Sequence, residues 1–238
     1  MTREELRALV LRLSHDHKGD RDGGHALVAA LKRAHEDLEA RECAEFVQLL
    51  SEFVRKQEPE LWAVALETLV QLGERQAVAT LAAELIQSVP DGGRKDYVVL
   101  GLLRMNLSEV VAPVVEHIRI ALRAPRPLTM PMTAALCKVD AESGLELASE
   151  YFESAYAAAQ SAEVQGQIAA FVRNLVAIQE RLLPELVRRV NLRRPDVGRW
   201  LARCIRDHLS KRRMVEDLGG ERCRSLSDKI GAAEHTLN

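Results

Sequence analysis

The sequence predicts an all-α fold built as a stack of antiparallel helix pairs. Three observations carry this. Apolar residues make up 47% of the 238-residue chain and charged residues 29%, a mix that supports a folded core. Aromatics are only 4%, and Ala, Leu, Val, Arg and Glu dominate, so helix formers far outnumber the β-branched and aromatic runs a sheet needs. The third is a recurrence. Val70–Val78 (VQLGERQAV), Leu103–Val111 (LRMNLSEVV) and Cys137–Leu145 (CKVDAESGL) line up at spacings of 33 and 34 residues.

Each aligned segment ends a helix on an apolar residue: Leu72, Met105 or Val139. Gly73, Asn106 and Asp140 follow. Gly and Asn terminate helices well, and Asp also caps the next one. In the first unit Ala65, Leu66, Leu69 and Leu72 precede the turn at helical spacing, and Val78, Leu81 and Leu85 follow it. Val111, Val114, Val115 and Ile118 take the second role in the next unit, and Leu145, Ala148 and Phe152 in the third. Neither helix of a pair can bury its stripe alone, so neighbouring pairs must stack.

In chain order, helices are predicted over 2–13, 24–38, 41–57, 59–72, 75–88, 94–105, 108–123, 129–138, 141–158, 162–180, 182–191, 196–213 and 219–234. Loops are marked by 19–24, 90–93 and 124–127, and Pro59, Pro184 and Pro195 suit first helical turns. The domain reading is one helical-repeat domain over 1–238: capping helices in 1–58, repeat units in 59–213 and a capping helix in 214–238.

The run Ala65-Leu66…Leu69…Leu72-Gly73…Ala77-Val78…Leu81…Leu85 resembles a HEAT-like repeat, as does Pro113 placed early in a second helix. A related phrase returns at Leu182–Val187 (LLPELV). The resemblance covers roughly residues 60–155 and extends weakly to about 213. It implies a right-handed α-α superhelix, a HEAT-like solenoid, and it specifies a shape rather than an activity.

No stretch approaches the ~20 uncharged apolar residues of a membrane span, and charges run through the first twenty residues, so no membrane partner and a cytoplasmic protein are expected. Cys43, Cys137, Cys204 and Cys223 stand far apart and are expected to be reduced thiols. No cofactor is predicted. No P-loop, G-x-G-x-x-G or G-x-S-x-G motif occurs, so the expectation is a non-catalytic protein. His35 and His117 read as surface or core residues.

Three segments are candidates for function. The first is 14–25, where His15, His17 and His25 stand among Asp16, Asp20 and Asp22 and offer nitrogen and oxygen donors for a metal. The plainer reading of the stretch, and the one preferred, is a polar loop with Asp22 capping a helix. The second is 181–213, with eleven basic and three acidic residues, a net charge of +8 inside a chain of net −2. Arg199, Arg203, Arg206 and Arg213 are expected near one face of the 196–213 helix, with Trp200, Leu201, Cys204, Ile205 and Leu209 as its apolar stripe. Arg188, Arg189, Arg193, Arg199, Arg203 and Arg206 are the candidate partner-binding residues. Guanidinium forks suit carboxylate or phosphate. The third is the acidic run 36–60, either a solvated face or a seat for a basic partner.

The leading expectation is a protein-binding module that meets an acidic protein surface, in the manner of bacterial adaptors or toxin-neutralising immunity proteins. The alternative is nucleic-acid binding through 181–213, where a single nearby aromatic, Trp200, gives little support to base stacking. A third reading, an enzyme similar to the HEAT-like DNA glycosylases, lacks a matching motif.

Overall fold

A computed structural model describes every residue except 1, 17–22, 57–60, 91, 107 and 236–238. The described residues form fourteen α-helices with no strand among them. They are α1 (Arg3–Asp16), α2 (Gly23–Glu36), α3 (Ala40–Arg55), α4 (Trp62–Gln71), α5 (Arg75–Ser88), α6 (Gly93–Arg104), α7 (Val111–Ala121), α8 (Thr129–Val139), α9 (Ala141–Ala155), α10 (Ala162–Gln179), α11 (Leu182–Arg193), α12 (Pro195–Leu209), α13 (Arg212–Leu218) and α14 (Gly220–His235). Short 3-10 turns, Ser108–Val110 and Tyr156–Ala158, precede α7 and follow α9. The chain divides into two compact units, Met1–Gly101 and Leu102–Asn238, with α6 running across the boundary.

The three aligned turns behave as their residue types require. Gly73 takes φ +82° after α4. Its N–H donates to Val70 O at 3.0 Å, and the next N–H, from Glu74, donates to Leu69 O at 3.0 Å, which closes the last turn of the helix. Asn106 adopts φ +56°, the same left-handed region, and donates to Leu103 O at 3.1 Å. Asp140 is extended instead (φ −143°, ψ 98°) and serves two helices at once. Its N–H closes α8 on Leu136 O, and its carboxylate accepts from the N–H groups of Glu142 and Ser143 at the start of α9.

In the first unit α1 packs on α2 and α3, α2 on α4, α3 on α4 and α5, and α4 on α5. Phe46, Leu49, Leu50, Phe53 and Val54 of α3, Leu66 and Leu69 of α4, and Leu81 and Leu85 of α5 are buried where these three helices pack. Arg3 of α1 pairs with Glu52 of α3 at its surface.

The second unit repeats the scheme. α7 packs on α8 and α9, α8 on α9 and α10, α9 on α11, α10 on α11 and α12, and α11 on α12 and α14. Most of these helices therefore pack on helices one or two places away along the chain, and α11 also reaches α14. Phe152 and Phe171 meet edge to face (5.7 Å, 77°) at the centre of a core that continues through Leu175, Leu186, Val190, Leu201 and Ile205 to Ile230.

Two corners in this unit share one construction. Arg194 ends α11 and opens α12 in an extended conformation (φ −141°, ψ 88°) close to that of Asp140. Four residues on stands a glycine in each case, Gly144 or Gly198. A Cβ on Gly144 would lie 2.7 Å from the backbone N of Cys137, and one on Gly198 would lie 2.5 Å from Cα of Asn191. The helices cross where the glycine lacks a side chain.

The helix predicted over 196–213 is two helices. α12 stops at Leu209, where Ser210 Oγ donates to Asp207 O (2.8 Å), Lys211 turns extended, and α13 begins at Arg212. Arg213 therefore leaves the face it was expected to share with Arg199 and Arg203.

Candidate functional site

α12 is positioned by Pro195, preset for the first helical turn, and by the repeat Val197, Leu201, Ile205, Leu209 buried against α10, α11 and α14. That fixes which of its arginines reach solvent. Trp200 and Cys204 are only half-buried, at the edge of the stripe.

The six candidate arginines fall into two groups. Four are engaged within the molecule. Arg188 grips Glu185 one turn back, with contacts of 2.7–3.0 Å. Arg189 reaches from α11 to α9, donating to Glu142 at 2.6 and 2.8 Å and to Glu146 at 3.3 Å. Arg193 donates to Glu146 at 2.7 and 3.0 Å and stands 3.8 Å from Glu153. Arg206 lies 2.9 Å from Glu234 Oε2 of α14, an ion pair lacking hydrogen-bond geometry. The carboxyls report this. Arg189 holds Glu142 below the usual carboxylate range by hydrogen bonding and charge, and Arg193 leads the same effect on Glu146.

Arg199 and Arg203 form the other group. Both are exposed, one helical turn apart on α12, and neither has a carboxylate partner among the described residues. They line a cleft of about 540 Å³ with Tyr156, Ala157–Ser161, Asp196 and Trp200. Tyr156 and Trp200 pack edge to face at 5.4 Å and form its aromatic wall. Asp196 is locked by Arg194 (3.0 and 3.3 Å), whose hydrogen bonds hold its carboxyl below the ordinary range. The Arg194 guanidinium also lies 6.0 Å from the Tyr156 ring centroid. With that pair neutralised, Arg199 and Arg203 leave the cleft with a net charge of about +2. The Trp200 indole N–H is shielded from solvent and has no acceptor among the described residues.

A larger cleft, about 760 Å³, lies between the α10–α11 turn and α14. Its apolar floor is Pro184, Leu218 and Leu226. Its charges are mixed: Glu180 and Glu221 stand against Arg181, Arg222 and Lys229, with Arg222 donating to Glu180 at 2.7 Å. It selects for charge less strongly than the Arg199–Arg203 cleft does.

The histidine segment is only partly described. His15 is exposed in the last turn of α1, and His25, exposed near the start of α2, lies 3.3 Å from Glu67 of α4. His17, Asp20 and Asp22 lie outside the described residues. Among those described, no three His, Cys, Asp or Glu side chains gather as a metal-ligand set. In the acidic run, Glu52 meets Arg3 and Lys56, and Glu45 meets Arg41, while Glu58 and Glu60 lie outside the described residues.

All four cysteines are free thiols. Burial raises Cys137 to about 12, and burial likewise pushes up Cys204 and Cys223, so these three stay protonated at neutral pH. His117 is buried in α7, and His35 is half-buried with its ring 5.8 Å from Phe46.

Tyr156, the 157–161 connection and the Arg194–Asp196 pair were not singled out by sequence reasoning. No local pattern marks them, because the cleft forms only where the α9–α10 connection passes α12. The carboxylates that meet Arg189 and Arg193 did carry a signal: Glu142, Glu146 and Glu153 recur at helical spacing on α9.

Among known families, curated proteins and solved structures, none matches this chain.

Proposed function

We infer that this chain is a non-catalytic, protein-binding helical-repeat module that takes an acidic surface of its partner on α12. In this reading the stacked helix pairs continue as a right-handed, HEAT-like solenoid. The protein works in the cytoplasm as an adaptor or as an immunity protein that neutralises a toxin. No helix among the described residues is long and apolar enough to cross a membrane, which fits a partner met in water.

The supporting observation is the division among the arginines. Arg188, Arg189, Arg193 and Arg206 each have a carboxylate of their own chain, whereas Arg199 and Arg203 stand exposed without one among the described residues. Two guanidiniums one turn apart favour an oxyanion, and at a protein interface such charges chiefly set encounter rate and partner choice. The internal pairing also reduces the cations left for a phosphate backbone, which makes protein the better-supported partner than nucleic acid.

The test is capture of partners from the native host by the tagged protein and by Arg199→Glu/Arg203→Glu, each with and without nuclease. One protein retained by wild type in both halves, and lost by at least tenfold with the double variant, supports the reading. Material that vanishes with nuclease overturns it in favour of nucleic acid.

A further inference from the structure

We propose that the cleft between the Tyr156–Ser161 connection and α12 seats an acidic peptide segment in which a carboxylate side chain stands beside an aromatic or apolar one. This rests on the protein-binding reading and names the chemistry of the partner at that site.

Charge selects the carboxylate. The charged side chains lining the cleft are Asp196, Arg199 and Arg203, with Arg194 paired to Asp196. Arg194 and Asp196 neutralise each other, so Arg199 and Arg203 set its sign. On Arg188, Arg189 and Arg193 a glutamate from this chain already occupies the fork, and Arg206 is ion-paired with Glu234. A peptide Glu or Asp would complete the same arrangement from outside, accepting parallel N–H bonds from either fork. Shape selects its neighbour. Trp200 and Tyr156 present an aromatic wall, and Ala157, Ala158 and Ala159 line the same cleft with small side chains. The volume, about 540 Å³, lies within the range of clefts that enclose a small ligand or a few side chains. Single-stranded nucleic acid fits less well, because base stacking along a strand needs successive aromatic platforms beside a continuous cationic track. Here one aromatic pair and two free cations are grouped at one end of α12.

The chain carries its own reporter. Trp62 and Trp200 are its only tryptophans, so the full-length Trp62→Phe variant confines the signal to the cleft wall. The probe is acetyl-Glu-Phe-Glu-amide, compared with acetyl-Gln-Phe-Gln-amide and with oligothymidylate. The expected result is a saturable change in Trp200 emission with the acidic peptide. The affinity should weaken at least tenfold for the Gln peptide, for Arg199→Gln/Arg203→Gln in the same background, and in high salt, with unchanged circular dichroism. Three outcomes overturn the proposal: no response at millimolar acidic peptide, an equal response to the Gln peptide, or tighter binding of oligothymidylate. If partner capture depends on Arg199 and Arg203 yet the peptide gives no signal, the cleft assignment falls and the protein-binding reading stands. If nuclease abolishes capture while the peptide binds as expected, the reverse holds.

Discussion

At Gly144 and Gly198 the absence of a side chain is itself the structural feature. A methyl group at either position would meet backbone atoms at 2.5–2.8 Å, and backbone cannot swing aside as a flexible side chain can. Gly144→Ala and Gly198→Ala should therefore each destabilise the fold by about 1–3 kcal/mol. Gly166, exposed within α10 with nothing within 4 Å of a Cβ, should behave oppositely: Gly166→Ala stabilises by about 0.5–1 kcal/mol. Urea unfolding of the three variants reads both signs in one experiment, and equal effects at all three positions would contradict the close-approach account. His208 is the other residue with a clear signature. Its ring is buried in the last turn of α12, neither nitrogen has a partner among the described residues, and burial lowers its pKa, helped by Lys211 and by Arg173 of α10. The folded state resists the proton, while the unfolded chain accepts it near pH ~6.5. Stability is thus unaffected well above that value and is lost as pH falls below it. Wild type should lose more stability than His208→Leu between pH 7.5 and 5.5. The difference should stay under the ~1.4 kcal/mol per pH unit of a fully excluded proton.

Between elements, the charge of α11 is turned sideways into the stack. Arg189 and Arg193 join α11 to α9 through Glu142, Glu146 and Glu153, and Arg119 of α7 comes within 3.9 Å of Glu150 of the same helix. These pairs sit at the surface, so each contributes modestly beside the buried stripe of α9. A double-mutant cycle of Arg189→Met with Glu146→Gln should give a coupling of about 0.2–1 kcal/mol that shrinks in 1 M salt. A coupling indistinguishable from zero at low salt would mean that the hydrophobic stripe alone sets the helix register. The same pairing explains why the excess of basic residues in 181–213 overstated the exposed cations. One-dimensional charge counting cannot see that the glutamates paired with Arg189 and Arg193 lie some 40–50 residues upstream, or that Glu234 meets Arg206 from downstream. The break at Ser210 was equally hidden. The apolar periodicity continues through Met214, which is buried, although the backbone has already turned at Lys211.

Across a whole unit, packing is between near neighbours. In Leu102–Asn238, α12 touches α9, α10, α11, α13 and α14, and no such packing joins it to α7 or α8. Where contacts run mainly between near neighbours, damage stays local. Leu201→Ala, which empties a fully buried position of α12, should accelerate amide hydrogen exchange in α10, α11 and α14 more than in α7. Uniform acceleration throughout the unit would show that it unfolds as a single cooperative body.

The helix-rich composition, the 3.6-residue apolar spacing and the turn residues Gly73, Asn106 and Asp140 determined, by themselves, that the chain is helical and where several of its helix pairs turn. Those features act within a few residues, through backbone geometry and local hydrogen bonds, and so they are written in local sequence. The tertiary structure alone decided which arginines remain open to solvent and that Tyr156 meets Trp200 to wall a cleft. Both depend on side chains brought together from distant helices, and burial, ion pairing and cleft shape exist only once those helices have packed.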